Sequence, residues 1–260
     1  MIETPFSFSA GAAPLLVSMP HSGLALTPEV GSGLTDNAAR LPDTDWYIPE
    51  LYSFLGELGV GHISANYSRY VIDLNRPLDD APLYTSKTTG LFPSILFDES
   101  PVFKSGRAPN KQHQQFCKEN IWQPYHNKIA DELARLKDRF GYAILFDAHS
   151  IAAEVPMLFE GRLANFNFGN NNGAASSPEL LNAVSEAVPG DDYSAVNNGR
   201  FKGGYITRAY GEPDNNVHAI QLELSQATYL TDGSPAYQID AQKLANLQVV
   251  LKQVIQNLIK

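Results

Sequence analysis

Short apolar runs, each ended by Pro, Gly, Asn or Asp and separated by longer amphipathic stretches, constrain the fold of this chain more than any other feature. The runs fall at residues 14–19, 62–65, 70–74, 142–147, 156–159 and 218–224, a length and bounding that suit buried strands. Between them, residues 45–58 carry Trp46, Leu51, Phe54 and Leu55 at helical spacing, and Asp43-Thr44-Asp45 ahead of them reads as an N-cap with acidic first-turn character. Residues 110–139 repeat Phe116, Ile121, Tyr125, Ile129, Leu133 and Leu136, with Pro124 interrupting, which predicts two helices or one kinked one. Residues 178–187 and 240–259 predict further helices, the last with Leu244, Leu247, Val250, Leu251, Val254, Ile255 and Leu258 on one broad face. Strands separated by helices need crossover connections, which lay helices on both faces of a sheet. The expected class is α/β, a single domain over residues 1–260 with a mixed, mostly parallel sheet.

Composition removes several functional classes. A formal charge of −9, from 28 acidic against 19 basic residues, offers no basic stripe for nucleic acid. No run approaches the ~18 apolar residues of a membrane span, and Met1-Ile2-Glu3-Thr4-Pro5 does not open like an export signal. The lone Cys117 excludes an intramolecular disulfide framework and a Cys-rich zinc module. A cytoplasmic protein, monomeric or a small homo-oligomer, is expected. Residues 77–109, 161–177 and 197–216 resist secondary structure, and loops this long in a compact domain usually carry function.

The chemistry gathers at the ends of the apolar runs. Pro20-His21-Ser22-Gly23 follows Leu15-Leu16-Val17-Ser18-Met19, and Asp147-Ala148-His149-Ser150 follows Ala143-Ile144-Leu145-Phe146. Ligands in α/β proteins collect at the carboxyl edge of such strands, so His21 and His149 read as metal ligands. A hydrolytic zinc site takes three His and carboxylate ligands and leaves one position open. Asp45 is the first choice for the carboxylate, with Asp43 and Glu50 behind it; an ordinary helix cap is the competing reading. His62, His113, His126 and His218 lack the strand-end context. Glu223, in Ala219-Ile220-Gln221-Leu222-Glu223-Leu224, cannot stay charged in an apolar strand without a partner; it reads as a general base, or as half of a buried ion pair with an Arg. Arg69, Asn75 and Arg76 surround a further run, and planar guanidinium forks suit a dianionic acid. The glycine-rich segment from Asn198 to Arg208 adds Arg200 and Arg208. It is not a P-loop, because Lys202 is followed by Gly, and no Gly-x-Ser-x-Gly elbow exists for a serine hydrolase.

Met19-Pro20-His21-Ser22-Gly23, Asp43-Thr44-Asp45-Trp46, the run from Ser68 to Pro77, Thr89-Gly90-Leu91-Phe92-Pro93, Asp147-Ala148-His149-Ser150-Ile151, the run from Asn198 to Arg208 and Gln221-Leu222-Glu223-Leu224 together resemble the N-formylglutamate amidohydrolases, or deformylases, over nearly the whole chain. That family is similar to the zinc carboxypeptidases and aspartoacylases, which implies a zinc-carboxypeptidase-like (phosphorylase/hydrolase-like) fold. The resemblance also implies a metal site built from a His, an acidic residue and a later His, with a Glu on a late strand as base. His21, His149 and Glu223 occur in that order. In aspartoacylases an Asp-Leu-Asn-Arg run holds the substrate carboxylate with help from an earlier Arg, as Asp73-Leu74-Asn75-Arg76 and Arg69 would here. Where aspartoacylases have a Glu three residues after the first His, this chain has Leu24, so the acidic ligand must come from elsewhere. Where deformylases often carry Arg-Ser after the second His segment, it has Ala152-Ala153. The implied activity is hydrolysis of N-formyl-L-glutamate to formate and L-glutamate, the last step of a histidine degradation route, with one divalent metal ion, expected to be zinc. The alternatives are an acylase or desuccinylase for another N-acyl acidic amino acid, and a non-catalytic binder of acidic amino acids.

Overall fold

Seven strands pair in the order β1-β3-β2-β4-β7-β5-β6 in the computed structural model, which describes residues 4–82, 88–232 and 237–260. They are β1 (Phe6–Ser9), β2 (Leu15–Met19), β3 (Gly61–Ala65), β4 (Ala143–Ile151), β5 (Phe166–Gly169), β6 (Ala195–Asn197) and β7 (Val217–Ser225). The central β3, β2, β4 and β7 are mutually parallel. Strand β1 runs antiparallel to β3, β5 antiparallel to β7, and β6 parallel to β5. The helices are α1 (Pro28–Gly33), α2 (Ile48–Leu51), α3 (Lys111–Cys117), α4 (Gln123–Phe140), α5 (Pro178–Ser185), α6 (Tyr205–Tyr210) and α7 (Ala241–Leu258). The class is the mixed α/β sheet with helices that the sequence predicts. No helix among the described residues is long and apolar enough to cross a membrane.

Strand alternation splits the core in two. Leu15, Val17 and Met19 of β2, Ile144, Phe146 and Ala148 of β4, and Ile220, Leu222 and Leu224 of β7 pack on one face with α2, α5 and α7. The opposite face carries Leu16, Ala143, Leu145 and Ala219, covered by α1, α3, α4 and α6. Along that second face the next positions are Ser18 on β2, Asp147 and His149 on β4, and Gln221 and Glu223 on β7, all of them buried. The same side of the sheet is therefore apolar at its amino end and polar at its carboxyl end. The functional floor lies at that change.

The sheet differs from the sequence expectation at particular runs. Residues 70–74, all buried, and 156–159, half-buried beyond the exposed Pro156, form turns rather than strands. Tyr70, Val71, Ile72 and Leu74 fill the second core while the backbone is held by Val71 N–H on Ser68 O and Asp73 N–H on Leu91 O, so burial comes without a ladder. Helix α2 is shorter than the predicted 45–58 and continues as a 3₁₀ segment, Ser53–Leu58. Its N-cap is Tyr47, at φ 57°, not the Asp43-Thr44-Asp45 run, whose carboxylates are used elsewhere. The loop segments 161–177 and 197–216 contain β5 and α6.

Between α3 and α4 the helix continues as a π segment, Lys118–Trp122, directly ahead of Pro124. Proline has no N–H to give to the preceding turn, and a π bulge is a common way to absorb that loss. The result turns Trp122, Tyr125 and His126 inward together. Trp122 Nε1 donates to Arg76 O at 2.9 Å, His126 Nε2 to Leu74 O at 2.9 Å, and Tyr125 OH lies 3.1 Å from Ser18 Oγ. The turn that carries residues 73–76 is thus hung from α4.

Burial lowers the His126 pKa to about 4, so its neutral imidazole contributes stability that is complete above its unfolded value near 6.5 and is lost as pH falls toward 4. Urea unfolding at pH 7 and pH 5 should show a loss of about 2 kcal/mol from this group. The acid sensitivity should shrink by that amount in His126→Gln, and an unchanged difference would remove His126 from the account.

Candidate active site

Each of the two histidines at the strand ends is held between carboxylates. His21 follows β2, and its Nε2 lies 2.7 Å from Asp73 Oδ1 while its Nδ1 lies 3.8 Å from Asp45 Oδ2. His149, inside β4, has Nε2 3.0 Å from Asp147 Oδ2 and Nδ1 3.0 Å from the same Asp45 Oδ2. A carboxylate on the far ring nitrogen fixes the tautomer and turns the near nitrogen toward the shared point. That point is Asp45, whose Oδ2 also accepts from Ser150 N–H at 3.2 Å. Asp73 is held in turn by Arg69 Nη2 at 2.7 Å and Asn75 N–H at 2.9 Å, and Asp147 by Ser18 Oγ at 3.0 Å.

Of the three acidic candidates, Asp45 stands with the histidines. Asp43 accepts from Phe97 N–H instead, at 3.2 Å, and Glu50 is exposed on α2. Leu24 is half exposed to solvent. One donor atom each from His21, Asp45 and His149 lie within 4.8 Å of one another, all buried. Two imidazoles and a carboxylate are a donor set for zinc and related divalent ions, so the residues fit a metal.

Electrostatics asks for a cation at the same place. Asp45, Asp73, Asp147 and Glu223 are all buried, and Arg69 is the one buried Lys or Arg side chain among the described residues. Burial pushes the Glu223 carboxyl up, and Asp45 and Asp147 add to this against the pull of His149. Burial would lower His149, but Asp147 and Asp45 outweigh it and hold the imidazole well above its usual value. Asp73, despite burial, is kept well below the carboxylate range by His21 and Arg69. His21 is lowered by burial and by Arg69. A divalent ion bound here would answer the same surplus of negative charge that raises Glu223 and His149.

The cavity around these groups encloses about 600 Å³, its open mouth included. His21, Asp45, His149, Glu223, Arg69, Asn75, Arg76 and Arg200 all line it. Glu223 pairs with His149 across β7 and β4, and Gln221 Nε2 lies 3.4 Å from Glu223 Oε2. The Arg76 guanidinium is fixed by Thr89 O, Asn75 O and Thr88 Oγ1 at 2.8–2.9 Å. Asn75 takes Ile206 N–H on Oδ1 at 2.8 Å, and its Nδ2 lies 3.1 Å from His149 Nε2. Gly204 passes so close that a Cβ there would overlap the Asn75 amide, which is the close approach the glycine-rich segment provides. Arg208 is not among the lining residues; its Nε donates to Gly203 O at 2.9 Å.

Sequence reading passed over Asp147 and Asp73 as orienting groups. Asp147 precedes His149 by two positions on one strand face, and the argument that a charge in an apolar strand needs a partner applies to it as to Glu223. Gln221 was legible by the same rule.

A family model described as N-formylglutamate amidohydrolase matches residues 13–230. The N-formylglutamate deformylase of Pseudomonas aeruginosa is 52% identical, over 99% of this chain and 97% of that protein. The deformylase of Pseudomonas putida is 51% identical over the same shares, 99% and 97%. The crystal structure of an N-formylglutamate amidohydrolase from Ralstonia eutropha JMP134 superposes with a TM-score of 0.83 at 22% identity, over 98% of this chain and 97% of that one, and shares the fold.

Asp147→Asn should weaken zinc binding about 10- to 100-fold while the protein stays folded, measured by competition with a chromogenic chelator. Undiminished affinity would mean that the carboxylate does not orient His149.

Proposed function

This chain belongs to the N-formylglutamate amidohydrolase family, and on that premise we propose that it hydrolyses N-formyl-L-glutamate to formate and L-glutamate, closing a histidine degradation route in the cytoplasm. The observation that carries the reading is the meeting of the His21, Asp45 and His149 donors, Glu223 and the Arg69, Asn75 and Arg76 wall in one cavity. The whole of residues 1–260 would serve as one catalytic domain, acting on a small molecule as a monomer or small homo-oligomer.

His21, Asp45 and His149 would hold the divalent ion, for which the donor set favours zinc. Such an ion, when bound, supplies Lewis acidity that polarises a carbonyl and lowers the pKa of water. Glu223 takes a proton from the attacking water as its oxygen adds to the formyl carbon. It then delivers that proton to the nitrogen as the C–N bond breaks, so the free amine and formic acid form, and the acid's own proton passes to the amine to give formate and glutamate. Its carboxyl lies in the same cavity as the His149 and Asp45 donors, where it can both accept and give the proton. Arg76, already held by Thr89 O, Asn75 O and Thr88 Oγ1, offers the substrate carboxylates a fixed positive charge that needs no ordering on binding. Arg200 adds a second guanidinium at the cavity wall. Arg208 holds the Gly203 carbonyl, and so supports the segment from which Arg200 projects.

The first test is formate release from N-formyl-L-glutamate by zinc-loaded protein, with a chelated sample beside it. Chelator-sensitive release supports the reading; none from folded, loaded protein, with glutamate binding intact, would favour a non-catalytic binder. Glu223→Gln should lower kcat by about 10²-fold or more with zinc still bound at its original stoichiometry. Arg76→Ala should act mainly on KM, and a change confined to kcat would move Arg76 from binding to chemistry.

A further inference from the structure

A second cavity, of about 760 Å³ with its open mouth, lies against the first, and Phe97, Ser150 and Ile151 line both. Phe97 stands between them. Its N–H meets the Asp43 carboxylate, which lines the second cavity, while its ring lies under the Arg69 guanidinium, 5.0 Å from the ring centre, in the first. Ser150 likewise gives its N–H to Asp45, while its Oγ accepts from Tyr229 OH at 2.7 Å and from Gln226 Nε2 at 3.4 Å. The shared wall belongs to a small apolar cluster apart from the two main cores, in which Phe97 and Phe201 pack against Ile151 and Val155.

The position of this second cavity says which end of a ligand could enter it. Asp43 and Thr44, which line it, directly precede the metal-site Asp45, and Ser150, which lines both cavities, follows His149 and gives its N–H to Asp45. Asn75, Arg76, Thr88 and Arg200, the groups suited to the glutamate carboxylates, line only the first cavity, and Arg69, which stacks on Phe97, is tied through Asp73 to His21 and so stands at the metal end rather than with them. The cavity therefore opens off the reacting end, where the acyl group must lie, and not off the carboxylate end.

Resting on the deformylase reading above, we propose that Phe97, backed by Ile151, sets the acyl size of the substrate by closing the site from this neighbouring cavity. With the partition in place a formyl group fits and longer chains meet the ring. With it removed, the second cavity takes a straight, uncharged acyl chain. Asp43, Asp98 and Glu154 line that space, so an acyl group ending in a carboxylate is repelled.

The experiment compares kcat/KM for N-formyl-, N-butanoyl- and N-succinyl-L-glutamate in the zinc-loaded wild type, Phe97→Ala and Ile151→Ala, with thermal melts to verify folding. The butanoyl-to-formyl ratio should rise about tenfold or more in Phe97→Ala, and in the same direction in Ile151→Ala, since one buried methylene already discriminates by about 10-fold or more. The succinyl substrate should gain nothing. Adding Ala152→Phe, which refills the second cavity, should reverse the gain. A wild type that releases formate, with unchanged ratios in folded variants, overturns the partition and leaves the deformylase reading standing. A wild type that prefers the butanoyl substrate overturns both. If Phe97→Ala does not fold, Ile151→Ala and its Ala152→Phe double variant decide the matter alone.

Discussion

A surplus of buried negative charge governs this structure. Asp45, Asp73, Asp147 and Glu223 are taken out of water at the carboxyl end of the sheet with a single guanidinium, Arg69, buried among them. An isolated buried carboxylate costs several kcal/mol unless it is paired, so each position is tolerable only because of its neighbours. Asp73 spends one oxygen on His21 and the other on Arg69, and Asp147 divides itself between His149 and Ser18. Asp45 is shared by both imidazoles. These pairings leave Glu223 with only an amide at 3.4 Å, and burial without a close partner raises its proton affinity.

The fold serves this arrangement through strand length and alternation. Strands β4 and β7 extend through Ile151 and Ser225 in continuous register, beyond Met19, where β2 ends. Their outer positions on one face are therefore free of the helix cover that packs Leu145 and Ala219. The same strands keep Ala148, Leu222 and Leu224 in the other core. One face is thus anchored while the other does chemistry, and rigid strands rather than loops hold His149 and Glu223.

Much of this was legible in the amino-acid sequence because the central strands and the last helix have strong periodicity and because His21, His149 and Glu223 break the pattern at strand ends. The edges were not legible. Strand β1 alternates Phe6-Ser7-Phe8-Ser9 in only four residues, and β5 lies in an Asn-rich stretch where turn chemistry is the stronger local signal. The run from Tyr70 to Leu74 was misleading because an apolar segment buried as a turn has the composition of a buried strand. Asp45 was identifiable as a candidate ligand, yet its selection over Asp43 and Glu50 depends on a left-handed Tyr47 and on Phe97 taking Asp43, contacts between residues far apart in the chain.

The π segment between α3 and α4 has a consequence for what the chain can lose. In an unbroken α-helix each residue advances about 100°, so Cys117 and Tyr125, eight positions apart, would point about 80° away from each other. The extra residue of a π turn takes back about one such step, and both side chains reach the same core. The segment thus works as a phase correction between two stretches of helix. Removing one residue from Lys118–Trp122 and closing the π turn would leave the two side chains seven positions apart, about 20° short of two full turns, so the faces would still agree, but Pro124 would then sit inside a regular helix with no bulge to absorb its missing N–H. The extra residue lets this helix carry a proline in its interior without turning either of its faces away from the core.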